Sequence, residues 1–127
     1  MRLDPNEPVV VVSVEVVGDN GSRWVDMALD TGATYMMIPW EVAESIGYDP
    51  AVSRRRIRLT TASSVEVAPL ITLRLVKALG NEISSVDTAC HDLPSGSRVQ
   101  GLLGLSFLKH LDIDLHFKRG ILEARDP

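Results

Sequence analysis

The sequence holds a single cysteine and no long apolar run. Of its 127 residues only Cys90 is a cysteine, which excludes both an intrachain disulfide and a cysteine-rich metal site. No uninterrupted apolar stretch approaches the roughly 20 residues that span a bilayer. Residues 1–8 lack the charged and apolar regions of a secretory signal. We therefore expect a cytoplasmic protein without a membrane partner.

Positive charge is also scarce. The chain has 13 Lys and Arg residues against 17 Asp and Glu residues, a net charge of −4, which argues against binding to nucleic acid. Its one basic run, residues 54–58, is interpreted as a solvated strand face. The apolar fraction of 45% is ordinary for a globular chain, and no linker or low-complexity segment interrupts it. We expect residues 1–127 to form one domain.

Short apolar segments separated by turn residues dominate the chain. Residues 9–17 are rich in valine, residues 65–76 alternate between apolar and polar, and residues 112–117 alternate strictly, as strands do. Residues 23–29, 35–38, 54–61, 83–90 and 121–123 are predicted as further strands. Pro39, Glu41 and Gly47 bracket a short helix, and residues 101–111 have helical apolar spacing. The pattern predicts an all-β sandwich or barrel with one or two short helices.

One motif carries a candidate for chemistry. Asp30-Thr31-Gly32-Ala33-Thr34 follows directly on an apolar strand, so the Asp30 carboxylate would be held by a rigid scaffold. Gly32 leaves the adjoining backbone open to close approach. The plainer interpretation is that Asp30 only accepts backbone N–H bonds in a turn. The motif alone leaves both interpretations open.

With its flanks, this motif resembles the active-site signature of the retropepsin-like aspartic proteases. The likeness runs in order through the short helix, a flap hairpin at residues 60–65, the segment Gly101-Leu102-Leu103-Gly104 with the helix after it, and closing strands at residues 112–114 and 120–122. It implies a small closed acid-protease barrel, mainly β, with a flap at Thr61, Ala62, Ser63 and Ser64. The two serines depart from the Gly-rich flaps of the retroviral enzymes.

The resemblance implies an aspartic endopeptidase in which Asp30 is catalytic. It also implies that Thr31, Gly32, Ala33 and Thr34 form the active-site loop, with Thr31 bonding across a dimer axis and Gly32 and Ala33 lining the cleft. Peptide hydrolysis by carboxylates needs one group to accept a proton and a second to donate one. The chain has one Asp-Thr-Gly, so the second carboxylate must come from another copy. We expect a homodimer that acts on peptides without a cofactor or metal.

Two alternatives use the same fold. The chain could be a non-catalytic module that dimerises or binds peptides, with Asp30 kept as a turn residue. It could also be a regulatory domain cut from a larger protease. Hydrolysis that depends on Asp30 separates catalysis from the first alternative.

The remaining candidates for chemistry are weaker. His91, His110 and His116 show no metal-ligand spacing and are interpreted as surface residues. Cys90 ends an apolar strand and is interpreted as a small buried residue rather than a nucleophile. Ser106 lacks the second glycine of a Gly-x-Ser-x-Gly nucleophile motif.

Overall fold

The computed structural model describes residues 1–60 and 63–127. Within these ranges the chain forms nine β-strands, two α-helices and one short 3₁₀ helix. They are β1 (Val11–Gly18), β2 (Gly21–Leu29), β3 (Met36–Ile38), α1 (Trp40–Ser45), the 3₁₀ helix (Pro50–Val52), β4 (Arg56–Thr60), β5 (Val65–Ala78), β6 (Asn81–Cys90), β7 (Gly101–Leu103), α2 (Leu105–Leu108), β8 (Asp112–His116) and β9 (Ile121–Arg125). Among the described helices, none is long and apolar enough to cross a membrane.

Six of the described strands close into a barrel. Their order is β1-β2-β7-β3-β6-β5, and residues 75–77 of β5 pair back onto residues 15–17 of β1. Most neighbours are antiparallel, but β7 runs parallel to β2, and β3 runs parallel to β6. The prediction of a mainly β, closed barrel with short helices is confirmed.

The barrel interior is filled by the alternating apolar residues of the strands. Val12, Val14 and Val16 of β1 are buried, whereas Ser13, between the first two, is exposed, as a strand with one buried face requires. α2 adds Phe107, which is also fully buried. The other large side chains of this core include Met27, Met36, Ile38, Ile46, Leu73, Leu103, Val76 and Val86.

The fourth strand leaves the barrel. β4 pairs with residues 65–69 of β5, while residues 70–78 of the same long strand pair with β6. The β4–β5 hairpin therefore projects from the barrel edge. Pro69 lies opposite Arg56 at the base of the hairpin, just before β5 joins β6, so its missing N–H costs the barrel no ladder bond.

The chain ends form a second, small sheet. β8 and β9 pair antiparallel, and the first residues of the chain run along the other edge of β9. The Leu122 N–H donates to the Met1 carbonyl at 2.8 Å, and the Leu3 N–H donates to the Gly120 carbonyl at 2.8 Å. The ends of the chain are thus joined to each other within one copy.

The helical prediction for residues 101–111 is wrong in its first part. Residues 101–103 are strand β7, and the helix extends only over Leu105–Leu108. Pairing with β2 and β3 overrides the helical spacing, because it satisfies backbone groups that lie inside the barrel wall. The short helix at residues 40–45 is confirmed, with Pro39 as its N-cap.

Candidate active site

Asp30 is the first residue after β2, and backbone bonds fix it from two directions. Its N–H donates to the Leu103 carbonyl of β7 at 3.1 Å, and the N–H of Leu29 before it donates to the Val10 carbonyl at 2.9 Å. The Asp30 side chain is half-buried. The parallel pairing of β2 with β7 therefore sets where this carboxylate lies.

The turn that follows uses one oxygen of the carboxylate. The Gly32 N–H donates to Asp30 Oδ1 at 2.9 Å, which is an Asx turn, and the Ala33 N–H donates to the Asp30 carbonyl at 3.2 Å. A Cβ at Gly32 would lie 3.2 Å from Oδ1. Among the described residues Oδ2 has no hydrogen-bond partner, so it is available to a ligand.

The rest of the loop is hydrogen-bonded to the start of α2. The N–H groups of Leu105 and Ser106 donate to the carbonyls of Ala33 and Thr34, at 2.8 and 3.0 Å. The Ser106 hydroxyl accepts from the Met36 N–H at 2.8 Å. A Cβ at Gly104 would overlap the carbonyl oxygens of Ala33 and Tyr35. Ser106 thus holds the start of β3 by hydrogen bonding.

A cleft of about 770 Å³ lies between this loop and the β4–β5 hairpin, within the size range of ligand sites. Of the predicted site residues, Asp30, Gly32, Ala33, Thr34, Ser63 and Ser64 line it. Thr61 and Ala62, also predicted for the flap, lie outside the described residues. Apolar side chains make up much of its wall: Met37, Ile57, Leu59, Ala89, Leu93, Pro94 and Leu102.

Thr31 borders a different surface. It lies beside a groove of about 330 Å³ that is lined mainly by aliphatic side chains, namely Leu29, Leu105, Leu108, Leu111, Ile113 and Leu115, together with Lys109. This groove joins the Asp30 loop to α2 and β8. The structure therefore separates Thr31 from the cleft residues on either side of it in the sequence.

The two faces of the β4–β5 hairpin differ. Ile57 lies opposite Ala68, and Leu59 lies opposite Glu66, so these four share one face. Ile57 and Leu59 are half-buried, whereas Val67, opposite Arg58 on the other face, is 62% exposed. The face with Ile57, Leu59 and Glu66 is therefore the one that meets the cleft.

One polar pair bridges the hairpin and the barrel at this cleft. His91 Nε2 lies 3.0 Å from Glu66 Oε2, and their side chains are 29% and 46% exposed. His91 directly follows β6, and its backbone N–H donates to the Ile38 carbonyl at 3.0 Å. The imidazole is thus anchored to the barrel, and the carboxylate belongs to the hairpin.

The other candidates for chemistry lie away from the cleft loop. Cys90 is fully buried, and burial raises the pKa of its thiol to about 12, with a further rise from the Glu44 charge. The interpretation of Cys90 as a small buried residue is confirmed, and its raised pKa disfavours the thiolate that a nucleophile needs. In the basic run, Arg55 bonds Asp87 and Thr72, each at 2.8 Å. The Arg55 hydrogen bond lowers the pKa of Asp87.

One cluster brings potential metal ligands together where sequence spacing gave no signal. Asp114 and His116 of β8 and Glu123 of β9 place one ligand atom each within 4.8 Å of one another. Asp114 already bonds Arg125 at 3.0 Å. The Asp114 carboxylate of this cluster is therefore already paired with a cation.

Known proteins resemble this chain in sequence and in fold. Residues 12–107 match the family described as aspartyl protease. The chain belongs to that family. It is also 30% identical over 102 residues to an uncharacterised protein in the cobV 5′ region of a Sinorhizobium species, covering 80% of the chain. It spans only 42% of that relative's length.

A solved structure shares the fold of this aspartyl protease family member. It is the crystal structure of a retropepsin-like aspartic protease from Rickettsia conorii, with a TM-score of 0.69 over 98% of this chain and 91% of that one. Sequence identity is 20%. The predicted retropepsin-like resemblance is confirmed at the level of family and fold.

Sequence reasoning missed the polar part of this family member's cleft. Glu66 and His91 are 25 positions apart, and neither belongs to a recognisable motif. Alternation in residues 65–70 could have placed Glu66 on the face opposite Val65 and Val67. The contact with His91 depends on how β5 and β6 meet, which the sequence pattern does not give.

Proposed function

We propose that the chain is an aspartic endopeptidase that acts as a homodimer, with Asp30 of each copy forming the catalytic pair. The observation that carries the proposal is the position of Asp30. It is held by backbone bonds at the floor of a peptide-sized cleft, in a chain of the aspartyl protease family. Gly32, Ala33 and Thr34 would line the substrate site beside it.

The chemistry follows from two carboxyl groups in contact. At about 3 Å, two carboxylates repel by roughly 5 kcal/mol at an effective dielectric constant near 20. This is about four pKa units, so the pair retains one proton and titrates as a unit. The ionised group takes a proton from water, which attacks the peptide carbonyl, and the protonated group donates to the carbonyl oxygen. Asp30 Oδ2 would take part in these transfers.

The second copy would cover the groove beside Thr31. A two-fold axis next to Asp30 must bring the partner against the neighbouring surface, and this surface is the aliphatic groove of Leu29, Leu105 and Leu115. The chain ends are already paired with each other inside one copy. We therefore place the main dimer contact on the groove, which includes Ile113 and Leu115 of β8, and expect the paired ends of the chain to contribute less.

The β4–β5 hairpin would act as the flap. A peptide lying in the cleft would contact Ile57 and Leu59 from above and the Asp30 loop from below. Extended peptides suit such a site, because their backbone can bond the edges of the loop and hairpin while side chains fill apolar pockets on alternate sides.

One observation favours a second candidate, a non-catalytic peptide-binding module. The Asx turn from Gly32 to Asp30 Oδ1 is the bond expected if Asp30 serves only the turn. An asparagine at this position keeps that bond through its carbonyl oxygen but cannot hold a shared proton. The same substitution therefore separates the two functions.

Asp30→Asn should abolish hydrolysis and leave the fold intact. We expect activity on a mixed peptide library, read by mass spectrometry between pH 4 and 7, to fall by about 10³-fold or more. Thermal unfolding should be nearly unchanged, because the Asx turn survives. Asp49→Asn is the matched control: Asp49 is exposed and makes no side-chain cap bond. Substantial residual hydrolysis by Asp30→Asn would remove Asp30 from the mechanism.

Activity should also require association of two copies. Activity per mole should fall on dilution as the dimer dissociates, and Leu115→Glu should weaken the dimer by at least about tenfold, because two like charges would meet at the axis-related grooves. Val52→Glu, at a residue that is 71% exposed outside the groove, controls for added charge. Sedimentation measures the association of the two copies, and the peptidase assay measures the activity per mole. A fully active species that stays monomeric would overturn the shared pair.

A further inference from the structure

Glu66 gives the cleft an acidic group that the proposed hydrolysis does not use. It lies on the cleft-facing side of the β4–β5 hairpin, opposite Leu59. Among the described residues its one polar side-chain partner is His91, whose Nε2 lies 3.0 Å from Oε2. Within residues 1–60 and 63–127 no group pairs with the other carboxylate oxygen, and the side chain is 46% exposed.

The charges around the cleft favour a cationic ligand at this point. Asp30, Glu66 and Asp92 contribute carboxylates to the lining. Asp92 is engaged as the acceptor for the Trp40 N–H at 3.0 Å. Arg58 borders the cleft, but it lies opposite the exposed Val67, which places its side chain on the outer face of the hairpin. The cleft-facing carboxylates thus have no guanidinium or ammonium partner among the described residues.

The residues around Glu66 suit the aliphatic part of a basic side chain as well as its charged end. Ile57 and Leu59 lie on the same face of the hairpin. The methylene groups of Lys or Arg can pack along such apolar side chains while the charged end reaches a carboxylate. His91 holds Glu66 from the barrel side, so the carboxylate is pre-oriented and loses less side-chain freedom on binding.

We propose that Glu66, oriented by His91, selects substrates with Lys or Arg at the position beneath the β4–β5 hairpin. The proposal rests on the proposed endopeptidase function and deepens it. In the homodimer a second Glu66–His91 pair lies across the two-fold axis. The preference should therefore occur on both sides of the scissile bond, at equal distance from it.

The test has a catalytic arm. The full chain is incubated with a peptide library of equal composition, and cleaved products are read by mass spectrometry. Lys and Arg should be enriched at two positions related by symmetry. Glu66→Gln, which keeps an acceptor for His91 and removes the charge, should lower this enrichment by about tenfold or more while apolar preferences persist. Glu82→Gln, which removes an exposed charge of β6 that lies beside Lys77 of β5, should leave the whole profile unchanged.

A binding arm separates this proposal from the proposed function. Fluorescent peptides with lysine, norleucine or glutamate at the selected position are titrated into Asp30→Asn and into Asp30→Asn with Glu66→Gln. Asp30→Asn should bind the lysine peptide at least tenfold more tightly than the norleucine peptide. The double variant should bind these two peptides equally. Binding with this preference but without hydrolysis by the original chain would defeat the endopeptidase and keep the specificity site. Hydrolysis without basic preference, or with a preference unchanged by Glu66→Gln, would overturn the specificity site alone.

Discussion

The floor of the cleft and the hairpin above it are built in opposite ways. The Asp30 loop is bonded to β7, to the residue before β1 and to the start of α2, so its backbone is fixed on several sides. The β4–β5 hairpin, which precedes Leu70, is held chiefly by the pairing of its own two strands. Rigid placement suits a group that must meet a reacting atom, and freedom suits an element that must admit a long ligand.

Hydrogen exchange should reveal the largest difference between these regions. Backbone amides of β4 and of residues 65–68 should exchange at least about 100-fold faster than those of β2 and β7, because the hairpin can open without unfolding the barrel. A peptide bound in the cleft should slow exchange in the hairpin and leave the floor unchanged. Equal protection in the two regions would show that the hairpin is part of the rigid barrel.

A methyl group at Gly104 should damage the floor strongly. Gly104→Ala would push into the carbonyl oxygens of Ala33 and Tyr35, and overpacking of this kind costs about 1–3 kcal/mol. We expect the melting temperature to fall by several degrees and activity to fall with it. The measurement is thermal unfolding beside the peptidase assay.

Gly32→Ala is the matched substitution within the same loop. Its Cβ would meet only Asp30 Oδ1, at 3.2 Å, so stability should change little while catalysis falls. An equal loss of stability in both variants would contradict the view that α2 supports the loop through Gly104.

Loss of the Arg55–Asp87 pair at the base of the hairpin should have the smallest effect on stability. Arg55 bonds Asp87 and lowers the pKa of that carboxyl. A carboxyl with a lowered pKa stabilises the fold above its unfolded pKa, near 3.9, and loses this contribution as pH falls through the folded pKa. Because the pair is 50% and 39% exposed, Asp87→Asn should cost less than about 1 kcal/mol at pH 7. The cost should vanish in strong acid.

Urea unfolding of the unsubstituted chain and of Asp87→Asn, at pH 7 and near pH 2, measures this difference in the free energy of unfolding. Asp19→Asn serves as the control, since its carboxylate lies 4.0 Å from Arg74 with both side chains about 70% exposed, and it should change stability less. A loss that persists in strong acid would assign the effect of Asp87→Asn to packing rather than to charge.

Local pattern was sufficient for most of the barrel. β1, β6, β8 and β9 appear where alternation or β-branched runs predict them, and in β1 the alternation matches one buried face. Residues 101–103 were mispredicted as helical, since their extended form depends on pairing with β2 and β3, which are more than 60 residues away in the chain. Non-local pairing overrides local spacing at such positions.

In the candidate site too, residues of a contiguous motif could be predicted, whereas residues brought together by non-local contacts could not. Asp30 and its loop were predicted because the motif is contiguous and has a chemical reason for its composition. Glu66 and His91 were not, since their 3.0 Å contact requires two separate strands to meet. The aliphatic groove beside Thr31 was also missed, because its residues come from β2, α2 and β8.

The length of β5 has a consequence for how such a protein can diverge. One strand serves the hairpin through residues 65–69 and the barrel through residues 70–78. Because strand side chains alternate with a period of two, inserting one residue between Pro69 and Leu70 would turn Glu66 outward and Val67 inward. Changes of length between Thr60 and Val65 reverse neither face. The chain between the two strands can therefore change in length without exchanging the faces of the hairpin, whereas the junction at Pro69 must keep its residue count.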